Sequence, residues 1–121
     1  MPLRILIVDD SPAIRSILRD CIEAGGHEVV DEAEGGDSAV KAYARHKPDV
    51  VTLDLSLADG DGLSVLKTLR KLDGKAKVLV ISGNSQKRVL ESIYAAGAAG
   101  FVGKPINCAE LMAAIVRATL G

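Results

Sequence analysis

At 121 residues with 48% hydrophobic side chains, the chain is long enough for one domain, residues 1–121, with a core that needs no metal or disulfide. Aromatic residues make up only 2%, so that core falls to Val, Ile, Leu and Ala. A net charge of −1, with acids and bases interspersed, argues against a nucleic-acid groove or a basic membrane-binding surface, yet leaves room for a local acidic pocket.

The start, MPLRILIVDD, reaches acidic residues too soon for a signal peptide, and no apolar run approaches a membrane span. A soluble, cytoplasmic chain is expected. Leu3 to Val8 is a short continuous apolar run, which suits a central parallel strand. Ser11 then offers an N-cap, with Pro12 at the first helical position. Ile14, Ile17, Leu18, Cys21 and Ile22 recur at helical spacing until Gly25-Gly26. A more polar second strand, expected at an edge, covers Glu28 to Ala33. The next helix, about Asp37 to His46, turns Val40, Tyr43 and Ala44 inward.

Val50 to Leu53 form a buried third strand that ends on Asp54. A helix follows Gly62, with Leu63, Leu66 and Leu69 on one face, to about Asp73-Gly74. Lys77 to Ser82 is a fourth strand, and a helix from about Gln86 to Ala96 carries Val89, Leu90 and Ile93. Ala99 to Gly103 is a short fifth strand. Asn107, with Glu110 three residues on, resembles a capping box for a last helix burying Leu111, Met112 and Ile115. Such β/α alternation predicts an α/β fold: a three-layer, doubly wound, five-stranded parallel sheet with five helices on its two faces.

Cys21 and Cys108 show no metal-ligand or CxxC spacing and are expected to be two buried, reduced side chains. His27 and His46 have no partner at ligand spacing and belong on the surface or in loops.

Ligands of parallel α/β sheets sit beyond the carboxyl ends of the strands. The residues closing the apolar runs are Asp9-Asp10, Asp54 and Ser82, and the fifth strand is followed by Lys104-Pro105. Taken singly, each could be a turn, a cap or a solvated loop residue. Together they place three carboxylates, a hydroxyl and an ammonium at one edge. Two carboxylates about 4 Å apart repel by roughly 4 kcal/mol at an effective dielectric near 20, so such a set calls for a cation. Oxygen ligands suit Mg²⁺, with Mn²⁺ as a substitute, and Mg²⁺ beside a lysine and a hydroxyl points to phosphoryl chemistry. No GxxxxGK[ST] loop and no GxGxxG follows the first strand, which leaves a carboxylate as nucleophile. Asp54 is the best candidate and Asp9-Asp10 the natural metal pair.

The ordered set Asp9-Asp10, Asp54, Asp61-Gly62, Ser82 and Lys104-Pro105 resembles the signature of two-component response-regulator receiver domains, over essentially the whole chain. That resemblance implies the flavodoxin-like strand order 2-1-3-4-5. It implies that Asp54 accepts a phosphoryl group from a histidine kinase phosphohistidine, with Mg²⁺ held by Asp10, Asp54 and the Ser56 backbone carbonyl, assisted by Asp9. Lys104 would pair with a phosphoryl oxygen, Ser82 would hydrogen-bond to it, and the Gly83 N–H would approach it. Lys104-Pro105 matches the family's cis peptide. Phe101 matches an aromatic that turns inward as the Ser82 hydroxyl moves, reshaping the fourth-helix, fifth-strand and fifth-helix face for a partner.

The implied partners are a sensor histidine kinase or phosphotransfer protein and a downstream protein target, or an output domain outside this chain, with neither nucleic acid nor membrane bound directly. A monomer or a phosphorylation-promoted dimer fits, as do a stand-alone regulator of chemotaxis type and the receiver of a longer protein. Ala58 and Gly60 depart from the usual proline and large apolar residue, which predicts a mobile loop after Asp54. Two other readings stand beside this one: a hydrolase with Asp54 as nucleophile, disfavoured by Ser56 where a second acid is wanted, and a phosphate-independent interaction domain.

Overall fold

The computed structural model describes residues 2–57 and 61–120. Five strands alternate with five helices: β1 (Arg4–Val8), α1 (Pro12–Ala24), β2 (Glu28–Ala33), α2 (Gly36–His46), β3 (Val50–Asp54), α3 (Gly62–Leu72), β4 (Val78–Ser82), α4 (Lys87–Ala95), β5 (Gly100–Gly103) and α5 (Cys108–Thr119). The strands form one sheet in the order β2-β1-β3-β4-β5, with every pair parallel. The order expected from the family resemblance is therefore present, and the polar second strand lies at the edge.

Alternation along each strand divides the core in two. Leu6, Val8, Val51, Leu53, Val78 and Val80 face one way, against Ala39, Ala42 and Tyr43 of α2, Val65, Leu66 and Leu69 of α3, and Ile93 of α4. Ile5, Ile7, Val50, Leu79, Ile81 and Val102 face the other way, against Leu18 and Ile22 of α1 and Leu111, Ala114 and Ile115 of α5. Both faces being covered is why β1, β3 and β4 read as continuous apolar runs.

Helix starts follow the local chemistry. Ser11 Oγ accepts from the Ile14 N–H at 3.3 Å, and Asn107 Oδ1 accepts from the Glu110 N–H at 3.0 Å. Asp61 Oδ1 caps α3 through the Leu63 N–H at 2.9 Å. Each satisfies an amide that the helix cannot.

Three expectations need correction. Cys21 and Cys108 are joined in a disulfide with Cα atoms 5.3 Å apart; Cys21 is buried, but Cys108 opens α5 on an exposed position. The strand order puts α1 and α5 side by side on one face of the sheet, a proximity that 87 residues of separation conceal. Closing a loop of that length contributes roughly 4–5 kcal/mol in the chain-entropy account. Ala44 is exposed and the inner face of α2 is Ala39, Ala42 and Tyr43. Ile17 is also exposed, because Leu18, Cys21 and Ile22 alone define the buried stripe of α1. The expected mobile loop at Ala58 and Gly60 lies outside the described residues.

Candidate functional site

The carboxyl ends of β1 and β3 deliver the acidic residues. Asp9 continues the Ile5–Ile7 parity and Asp54 the Val50–Thr52 parity, so both leave the sheet on the α1 and α5 side. The two strands are paired up to Val8 and Leu53, which fixes the following residues as neighbours. One carboxylate oxygen each from Asp9, Asp10 and Asp54 lie within 4.8 Å of one another.

Asp9 is 1% exposed and Asp54 5%. Asp9 Oδ1 accepts from the Ser11 N–H at 2.9 Å, and Asp54 Oδ1 from the Ser56 N–H at 3.1 Å. Lys104 Nζ lies 3.4 Å from Asp54 Oδ1 and 3.8 Å from Asp9 Oδ2. The lysine is held there from behind, since its N–H donates to the Ser82 carbonyl at 3.1 Å. Burial, above all, pushes the Asp9 carboxyl above its usual range; Asp54 and Asp10 add to the rise, against the Ser11 N–H and Lys104.

The set fits a divalent cation on an observation of its own. Among the described residues, Asp9 Oδ2 is buried without a hydrogen-bond partner. A buried carboxylate oxygen in that condition costs free energy that a cation would recover. All the donors are oxygens, as Mg²⁺ prefers. Lys104 brings a single positive charge to two of the three carboxylates, Asp9 and Asp54.

The remaining expected residues lie on β4, β5 and the loops that follow them. Ser82 is buried at the end of β4, and its Oγ accepts from the Asn84 N–H at 3.0 Å, so its hydroxyl is engaged with the following loop. Phe101 is half-buried and packs against the α2–α4 side of the core, the face on which Val80 lies opposite it in register. Lys104-Pro105 is cis. A Cβ at Gly83 would meet nothing within 4 Å, so no neighbouring atom demands glycine there. Gly62 is the reverse case: a Cβ would fall 2.6 Å from the Asp54 carbonyl oxygen, and its N–H donates to Leu55 at 3.1 Å. His27 Nδ1 accepts from the Leu3 N–H and His46 pairs with Asp31, both away from the acidic set.

A family model described as the response regulator receiver domain matches residues 5–116. The chain belongs to the response regulator receiver domains. It is 37% identical to the chemotaxis protein CheY of Bacillus subtilis over 115 residues, 95% of this chain and 96% of that one. A LuxR-family two-component response regulator from Aurantimonas superposes with a TM-score of 0.95 at 34% identity, covering 100% of this receiver and 87% of that chain. CheY in a CheX–CheY–BeF3–Mg complex from Borrelia burgdorferi gives 0.92 at 30% identity, covering 96% and 88%. Receiver domains of this kind are phosphorylated on an aspartate, bind Mg²⁺ at an acidic pocket, and interact with histidine kinases and downstream targets.

What holds the Asp9 loop is not apparent from the sequence. Arg15 Nη1 donates to the Asp9 carbonyl at 2.7 Å while its Nε donates to Glu32 Oε1 at 3.0 Å. Arginines four residues apart in α1 facing the acid-bearing edge strand were the available signal.

Proposed function

We propose that Asp54 is the phosphoacceptor of this receiver and that Asp9, Asp10, Asp54 and the Ser56 carbonyl hold Mg²⁺ beside it. The observation that carries this reading is the three-carboxylate cluster with Lys104 Nζ 3.4 Å from Asp54 Oδ1 and a buried Asp9 Oδ2 that has no hydrogen bond among the described residues. Bound Mg²⁺ supplies charge neutralisation at the phosphoryl oxygens. Asp54 offers the nucleophilic oxygen: a new O–P bond forms, the P–N bond to the donor histidine breaks, and its imidazole leaves with the bonding pair and takes a proton. Lys104 pairs with a phosphoryl oxygen as charge arrives. The domain thus catalyses its own phosphorylation and does not act on a separate substrate.

The same reading makes Ser82 and Phe101 the switch. Ser82 continues the parity of Val80, and Phe101 lies opposite Val80 in register, so both side chains leave the sheet on the α2–α4 side. A Ser82 hydroxyl drawn from the Asn84 amide to the phosphoryl group would open space on that side, and Phe101 would turn into it. The face of α4, β5 and α5 then changes for a downstream protein, a two-state element biased by one local charge. The donor is a sensor histidine kinase or phosphotransfer protein. The cytoplasm is the proposed site of action; the described residues include no helix long and apolar enough to cross a membrane. The disulfide is the feature at odds with a reducing compartment.

Incubation with acetyl phosphate tests the reading. A phosphoryl mark that requires Mg²⁺ and is lost in Asp54→Asn is expected. No mark, or equal labelling of Asp54→Asn, would refute it.

A further inference from the structure

We propose that Arg15 is a positioning residue for the cation site, acting through the main chain of Asp9; the inference rests on the reading of that site given above. Three carboxylates within 4.8 Å of one another push apart, so the β1–α1 loop must be held from behind. Both main-chain groups of Asp9 are tied. Its N–H donates to the Ala33 carbonyl of β2 at 3.0 Å, and its carbonyl accepts from Arg15 Nη1 at 2.7 Å.

The guanidinium is itself fixed. Arg15 Nε donates to Glu32 Oε1 at 3.0 Å, and Arg19 Nε donates to Glu32 Oε2 at 2.7 Å, so Glu32 is gripped at both oxygens. Glu23 completes the chain, accepting from Arg19 Nη1 at 3.1 Å. The Arg15 side chain is only 13% exposed, which limits the screening of these bonds. One planar group here serves two acceptors in different directions, a carbonyl and a carboxylate. A lysine ammonium is a flexible point charge and does not reproduce that fork. Ligand-orienting groups of this kind are worth about 10–100-fold in metal affinity.

Electrostatics alone predicts the opposite sign. A cation near an acidic pocket repels Mg²⁺, so a role of Arg15 through charge would make its removal tighten binding. Positioning makes removal weaken it, and makes Arg15→Lys, which keeps the charge, weaken it too.

The test is calorimetric titration of Mg²⁺ into the full chain, with the melting temperature measured alongside. About a tenfold rise in Kd is expected for Arg15→Ala and for Arg15→Lys, with a smaller rise for Glu32→Gln. The phosphorylation rate at saturating Mg²⁺ should change less than the Mg²⁺ concentration giving half of it. Unchanged or tighter Mg²⁺ binding in folded Arg15→Ala, even with a lowered melting temperature, would overturn the inference. Should Arg15→Ala not fold, Arg15→Lys and Glu32→Gln decide it by the same criterion. Wild-type chain that binds no Mg²⁺ would overturn the phosphoacceptor reading as well; normal wild-type binding with unaffected variants overturns the Arg15 inference alone.

Discussion

Thr52 sits in the middle of β3 with its hydroxyl buried and, among the described residues, without a hydrogen-bond partner. In sequence it is an ordinary β-branched strand residue; only the packing shows the hydroxyl to be stranded. Leaving such a group unpaired costs about 1–3 kcal/mol, so Thr52→Val should raise stability by about 1 kcal/mol and move the urea midpoint upward. A lower midpoint would mean that the hydroxyl has a partner. Tyr43 shows a buried hydroxyl that does have one. Its OH donates to Asp73 Oδ2 at 2.9 Å, and burial together with that bond raises its pKa from 10.0 to about 12. The folded chain therefore holds this proton more tightly than the unfolded chain. The resulting stability is full below pH 10 and is lost as pH rises towards 12. The phenolate absorbance that Tyr43→Phe removes should titrate near 12; titration near 10 would contradict the pairing.

At the scale of elements, Gly62 shows why α3 begins where it does. A Cβ there would lie 2.6 Å from the Asp54 carbonyl oxygen and the Leu55 Cα, backbone atoms that cannot swing aside. Gly62→Ala must push α3 away from the end of β3, at about 1–3 kcal/mol. Because that end carries Asp54, slower phosphorylation should accompany the lost stability. Gly74→Ala, where a Cβ meets nothing within 4 Å, is the control and should match wild type in both. Strands and helices were legible because apolar parity switches cleanly between period two and helical spacing. The inner face of α2 was not, since Ala39, Ala42 and Ala44 in one short helix leave the stripe ambiguous until Tyr43 packs.

For the whole molecule, strand order brings the ends of four strands, β1, β3, β4 and β5, to one edge of the sheet. The three carboxylates, Ser82 and Lys104 were legible because each closes or follows an apolar run, and parallel sheets gather such ends. Arg15, Glu32 and the Cys21–Cys108 link were not, because each depends on which elements become neighbours across a sheet face or edge. The same geometry that brings the charges together also requires devices to hold them, and this is where the chain's own features lie. The most direct measurement traps the acyl phosphate formed with acetyl phosphate and Mg²⁺ by borohydride reduction, then sequences the peptides by mass spectrometry. Homoserine is expected at residue 54 alone, and none without Mg²⁺. Homoserine in place of Asp9 or Asp10, or an unmodified Asp54 under the same conditions, would contradict it.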